Sequence, residues 1–420
     1  MGGEVSIAAE RMAARRHEMR ISRLLIGCLL VTSAACERGG DEVFYSVRDS
    51  VGIQIVTVDA RQQAETFRVD DDPEWLIGHE EEVQFHGIED AVLLECGKLA
   101  VADGSQQQVI VIDPESGNTE RWGGAGDGPE EFRGLARVFD LGEGRIGAYD
   151  RLRRRFVILE GGAFLEAVSL PTIAETQDPP LLEVLPGQGQ RVMYLAARAG
   201  LPRTPEQGAY RGSGPVVRVH AADQIDTLTM IAGNTTFAAQ GVGGPVPFGA
   251  TTLLAAGQDG LWIGDTAHEE VSLFRESPEP LKVVRWVPAE SRDLTEARVD
   301  ALWSALESDA PEQQRAMIGQ LQQATPVPAT VPAFGAIHTD ARGGLWIGSP
   351  VPPEVQMLQM APPPQEWLVI DFESERVARG MTPEGFRLLQ VTGEKLVGIQ
   401  VDALGVETVA IYRVLWQEES

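Results

Sequence analysis

The sequence predicts an all-β chain folded as a β-propeller of six four-stranded blades, and three observations carry that expectation. A strand-like hexapeptide recurs six times, a second apolar run follows it in register, and Gly 45 and Pro 26 supply turns throughout the 420 residues. The hexapeptide reads KLAVAD at 98–103, RIGAYD at 145–150, RVMYLA at 191–196, GLWIGD at 260–265, GLWIGS at 344–349 and KLVGIQ at 395–400. A glycine lies at or shortly before each start: Gly97, Gly144, Gly189, Gly260, Gly343 and Gly393. That is turn chemistry leading into a strand.

The starts are 47, 46, 69, 84 and 51 residues apart. In three copies the second run begins 11 residues after the first, at Val109, Phe156 and Val271. In the others, longer insertions displace it to Val216, Trp367 and Val409. A leading strand precedes each hexapeptide, and a fourth follows at 119–122, 165–170 and 281–286. Four strands in about 40 to 50 residues is the composition of a propeller blade. One blade cannot bury both faces alone, so blades stack. The last unit shows three strands, at 386–391, 395–400 and 408–414. The alternating segment 50–58 is expected to supply its fourth, so that an N-terminal strand closes the last blade.

Ahead of the repeats lies an address. Arg20 and Arg23 precede an apolar run of 12 residues, 24–35, and small residues lead to Cys36. This is signal-peptide architecture, too short to span about 30 Å of hydrocarbon as a helix. Translation is expected to start at Met19, because 1–18 carry Glu4, Glu10 and Glu18 and add nothing to a signal. Ser33-Ala34-Ala35-Cys36 resembles the lipobox of bacterial lipoproteins, with Ser where that family has Leu. The resemblance implies cleavage after residue 35, lipid on Cys36, a linker over 36–42 and a propeller over 43–416 in the bacterial cell envelope. The acyl chains would then be the only membrane contact. Cys96 follows the apolar stretch 91–94, so a buried, inert thiol is expected.

Net charge −27 argues against nucleic acid, which demands clustered Lys and Arg, and against electrostatic docking on anionic lipid. The turn WGGAGDGPEEF at 122–132 resembles the Gly-rich turn of NHL-type repeats, and KLAVAD and RIGAYD resemble their core. Residues 42–416 are similar to bacterial six-bladed propeller lipoproteins of NHL or TolB-like type. The resemblance implies a fold and a binding surface, not one activity.

Strands of a blade alternate in direction, so links between second and third strands share a face with links between blades. Three long insertions fall in such links: 197–215, 287–333 and 350–366. Within 290–325, Val299, Leu302, Trp303 and Leu306 form one helical stripe, repeated by Met317, Ile318 and Leu321 after Pro311. Two antiparallel helices are expected, capping blades three to five, with Asp293 and Glu296 as a capping box. Loops on a rigid scaffold are where binding sites form.

Chemistry candidates are few. Asp103, Asp150 and Asp265 end equivalent strands. They either ring the channel mouth and hold a hard cation such as Ca²⁺ or form ordinary turns. A similarity to gluconolactonase-like propellers implies the alternative function, a metal-dependent hydrolase or lyase at the central channel. The matching positions elsewhere are Ala196, Ser349 and Gln400. His268 and His338 are candidates to face the channel, but no H-x-x-x-H spacing supports zinc chemistry. Arg151, Arg153, Arg154 and Arg155 form the one basic cluster after the signal, a candidate contact for an anionic partner. Trp262 and Trp346, at matching positions, are expected between blades. The sequence therefore favours a monomeric, non-enzymatic envelope module that binds a protein, peptide or glycan through the face bearing the insertions.

Overall fold

A computed structural model describes residues 45–61, 65–78, 83–171, 181–187, 193–198, 208–220, 225–239 and 242–416. The signal, Met19 and Cys36 lie outside the described residues. The strands form successive antiparallel meanders in chain order. The first sheet holds Ile88–Leu93, Leu99–Asp103, Gln108–Ile112 and Thr119–Gly123. The second holds Leu135–Asp140, Arg145–Asp150, Arg155–Glu160 and Ala163–Ser169. The third holds Leu181–Pro186, Met193–Arg198, Gly208–Val219 and Ile225–Ala239, with short Val242–Pro245 on its edge.

The fourth sheet follows with Thr252–Gly257, Gly260–Asp265, Glu270–Phe274 and Lys282–Val287. The fifth has Ala336–Thr339, Leu345–Gly348, Glu366–Asp371 and Arg376–Met381. The last has Phe386–Val391, Lys395–Val401 and Glu407–Trp416. Every hexapeptide is a second strand, flanked on both sides. Leu99–Asp103 is buried along its whole length, because neighbouring sheets cover both faces and no solvent side calls for polar residues. Gly260 sits at φ +138°, where a Cβ would strike the Phe274 carbonyl oxygen, so this turn admits only glycine.

Each core lies between two successive sheets. Val92, Ala100 and Trp122 of the first meet Val138, Ile146 and Leu159 of the second. Phe139, Tyr149 and Phe156 meet Val184, Leu195 and Val217 of the third. Leu185, Tyr194 and Leu228 meet Leu254, Leu261 and Ile263 of the fourth. Trp262 fills the space between fourth and fifth sheets, and Trp346 that between fifth and last. Val397, Ile399, Val409 and Ile411 of the last sheet share a core with Ile88, Leu99 and Ile110 of the first. First strands also pack side by side between the first and second sheets, the third and fourth, the fourth and fifth, and the fifth and last, and that of the last sheet meets that of the first. This is β-propeller packing.

The closing strand is not the one expected. Ile53–Asp59 pairs in parallel with Lys282–Val287 on the outer edge of the fourth sheet, where Val56 and Val58 are fully buried. Trp75–Ile77 closes the last sheet instead, antiparallel to 409–411. Glu65–Val69 joins it, pairing with Val414, Leu415 and Trp416 and with Ala378 and Arg379 of the fifth sheet. Alternation marks an edge strand but not which edge takes it. The true closing strand has three residues, too few for a period to show.

The insertion helices form as expected: α1 (Glu296–Asp309) and α2 (Glu312–Ala324), broken at Pro311. The capping box does not. Thr295 is the N-cap of α1 and makes no side-chain cap bond, while Asp293 takes the Ser291 hydroxyl at 2.8 Å and bridges to Thr330. Part of the 197–215 insertion is ribbon, with Gly208–Val219 paired along Ile225–Ala239. Cys96 is exposed, because the first strand of its sheet ends at Leu93 and the thiol falls on the hairpin turn closed by Gly97. No helix of the described residues is long and apolar enough to cross a membrane.

Candidate functional site

Two of the three insertions, 287–333 and 350–366, meet around one cleft of about 880 Å³, which no described residue of 197–215 lines. One wall is the stretch 245–251, which follows the third-sheet ribbon. It is held down by Thr235 N–H to the Ala250 carbonyl at 2.8 Å and Val246 N–H to the Thr235 carbonyl at 2.9 Å. Opposite stand α1 and α3 (Pro353–Met357), which pack on each other; α2 rests against Val242–Pro245. Leu302 and Trp303 are the buried residues of α1. Strand ends and links form the floor, with Leu253, Thr266, Phe334, Ile347 and Leu368.

Main-chain clamps fix the neck of the helical insertion. Val331 N–H donates to the Arg292 carbonyl at 2.9 Å, Leu294 N–H to Ala329 at 3.0 Å and Ala333 N–H to Thr266 at 2.7 Å. The Arg292 guanidinium reinforces them, reaching Glu269 at 2.6 Å, the Val331 carbonyl at 2.9 Å and the Ala267 carbonyl at 3.2 Å. Arg211 of the ribbon pairs with Asp265 at 2.9 Å, tying the third-sheet wall to the fourth sheet. The site therefore rests on rigid supports.

The lining is mixed, with prolines and Phe248 and Met357 beside Arg298, Glu290 and Gln356. Its size is that of a ligand pocket. Arg379 is held by Glu366 and the Ala60 carbonyl. Glu354 also lines the cleft, and its Oε2 is buried without a hydrogen-bond partner.

The expected chemistry residues sit elsewhere in the propeller. Asp103 is fully buried and accepts N–H bonds from His86 at 3.0 Å, Ser105 at 3.1 Å and Gln106 at 2.9 Å. Asp150, also fully buried, accepts from Arg133, Gly134 and Arg153, each at 3.1 Å. Each carboxylate thus organises its own turn. Asp265 pairs with Arg211. This donor set does not fit a hard cation such as Ca²⁺, whose oxygen shell would compete with those N–H groups and that guanidinium. Among the described residues no three His, Cys, Asp or Glu side chains come together as metal ligands would.

His268 is exposed on the turn after Asp265, its N–H donating to the Asp265 carbonyl at 3.0 Å. The arginine run folds inward. Arg153 and Arg155 both reach the Gly128 carbonyl at 3.2 Å, and Arg155 also takes that of Glu131. They therefore clamp the Gly-rich turn singled out in the sequence. Arg154 takes the Pro171 carbonyl at 2.9 Å, and Arg151 lies 3.8 Å from Glu89.

His338 occupies the first strand of the fifth sheet. Burial pushes its pKa down to about 4, helped by the Arg137 charge on a first strand of another sheet and opposed by the Leu389 carbonyl. Arg137 pairs with Asp90 at 3.2 Å. Burial raises the Asp90 pKa, against the pull of Arg137 and of the Val138 and Ala91 N–H groups. The unfolded chain takes up the His338 proton near pH 6.5 and the folded chain only near 4. Between those values acid favours unfolding. The stability advantage of the parent over His338→Gln should shrink as pH falls from 7 to 4, read from urea midpoints; an advantage that holds constant contradicts a buried neutral imidazole.

No protein-family model and no curated protein matches the chain. Solved structures resemble it. They include a Bacteroides fragilis protein presumed to be exported (TM-score 0.45, 11% identity, 87% of this chain and 100% of that one). Virginiamycin B lyase of Staphylococcus aureus has TM-score 0.40 and 10% identity, over 84% and 100% of the two chains. The PQQ-bound aldose sugar dehydrogenase of Streptomyces coelicolor has TM-score 0.41 and 12% identity, over 84% and 100%. The propeller assignment rests on the strand pairing and cores of this chain itself.

The lengths of 287–333 and 350–366 marked two walls of the cleft, and Pro350, Pro352 and Pro353 were legible within it; the length of 197–215 marked none, and the wall at 245–251 had no such signal. Phe248, Arg292 and Glu354 were not legible, since nothing in their local sequence separates them from other loop residues.

Proposed function

We propose that this protein is a lipid-anchored, monomeric six-bladed propeller of NHL or TolB-like type in the bacterial cell envelope, acting as a non-enzymatic binding module. It takes a protein, peptide or glycan element into the cleft on its insertion-bearing face. The observation that supports the reading is the convergence of the insertions 287–333 and 350–366 and the link 245–251 on one cleft. Loop growth without selection for a ligand would not be expected to clamp two excursions around a common space. The signal architecture ending in Cys36 supports the anchor.

Two measurements test it. Cys36→Ser should move the protein from the membrane fraction to the soluble fraction; unchanged membrane retention contradicts the anchor. A thermal-shift screen against envelope extracts should find stabilising ligands whose effect is lost in Ala301→Trp, which fills the cleft from α1. Stabilisation indifferent to that change places recognition elsewhere.

A further inference from the structure

We infer that an extended, acidic peptide docks in a split between the fifth sheet and Glu65–Val69, a conclusion that rests on the binding reading above and narrows its ligand to a peptide. Glu65–Val69 runs parallel to the outer strand Arg376–Met381, but the two pair only at Ala378↔Glu65 and Arg379↔Thr66. Beyond that point Glu65–Val69 turns to the last sheet, where Phe67, Arg68 and Val69 pair with Trp416, Leu415 and Val414. The two strands part, and a groove of about 450 Å³ opens between them, lined by Phe67, Arg68, Gly380 and Met381. The Phe67 ring lies so close to Gly380 that a Cβ there would strike it.

The backbone in the groove is an open edge. Thr382 N–H turns back to the Gln365 carbonyl at 3.0 Å. Backbone groups of successive strand residues point to opposite sides, so the N–H and C=O of Met381 point away from the fifth sheet and into the split. Among the described residues no strand pairing extends past Arg379 on that side. Such an edge takes another extended backbone by strand addition; a glycan has no alternating N–H and C=O to lay along it. Thr119–Gly123 and Ala163–Ser169 are outer edges too, but among the described residues no second strand stands across from them. The groove also meets the cleft. Glu366 and Arg379, 3.5 Å apart, line both, so a chain laid along Met381 leads past that pair toward the cleft. The groove carries Arg68 and Arg379 against Glu366. Arg379 is held by Glu366 and the Ala60 carbonyl. Arg68 is exposed, and among the described residues no ion pair holds it, so an acidic side chain on the peptide suits it.

A displayed library of random heptapeptides, panned on the full chain, supplies the probe, and the strongest binder is synthesised with and without N-methylation of its backbone. Fluorescence anisotropy should show that methylation abolishes binding. Met381→Pro, which removes the N–H that faces the groove at an edge position where proline is tolerated, should weaken binding at least about tenfold, while Met381→Leu leaves it unchanged. Arg68→Glu, which alters no backbone group, should weaken it about three- to tenfold and decides the matter if Met381→Pro melts early. A binder indifferent to methylation, Met381→Pro and Arg68→Glu but lost in Ala301→Trp overturns the inference while leaving the cleft a binding site. A library that yields no binder also overturns it; if the extract screen then finds no ligand sensitive to Ala301→Trp, the binding reading itself falls.

Discussion

Replacing Trp75, Leu76 and Ile77 by Gly-Ser-Gly is expected to destabilise the protein by about 4–6 kcal/mol, from the loss of two large apolar side chains and a strand edge. For a chain of this size that is a fall in Tm on the order of 10 °C. The segment is short, but it completes the edge of the last sheet. Trp75 and Ile77 pack on the core shared by last and first sheets, and the Lys395 ammonium lies 4.3 Å from the Trp75 ring centroid. Glu74 beside it holds Lys395 at 3.1 Å. By contrast Val51 is 99% exposed, so Val51→Ser should stay within about 0.5 kcal/mol. Differential scanning calorimetry on both variants separates the closing strand from the hairpin before it. Equal, small effects would mean that closure does not depend on 75–77.

Asp150→Ala is expected to cost about 3–5 kcal/mol, as when one partner of a buried ion pair is removed. The carboxylate is fully buried, and its loss strands the N–H groups of Arg133, Gly134 and Arg153. It also leaves Arg155, 3.9 Å away with a side chain 10% exposed, without its counter-charge. Asp265→Ala should cost about 1 kcal/mol or less, because both Asp265 and Arg211 reach solvent. Urea unfolding with unchanged m-values reads both differences. Equivalent strand ends would then carry unequal roles. A result in which Asp150→Ala is as mild as Asp265→Ala would return Asp150 to the functional candidates.

The repeat was legible because each second strand is buried on both faces, which forces an unbroken apolar run such as Leu99–Ala102. The insertions were legible as excess length, and α1 showed its Leu302–Trp303 stripe. What failed shares a cause. The closing strand, the cap of α1 and the exposure of Cys96 depend on where a short segment lands in three dimensions, which periodicity does not encode. Asp103 and Asp150 left two readings open, a cation ring or ordinary turns, because a buried turn former and a ligand both place a carboxylate at a strand end. Only the backbone N–H groups around them distinguish the two. Glu354 gave no local signal, since its character comes from the sheets and prolines that surround it.

A crystallographic fragment screen tests most directly where recognition lies. Bound fragments should gather in the cleft between Phe248 and Met357. Fragments that pass over this space and settle instead beside Arg137 and His338 would contradict the account.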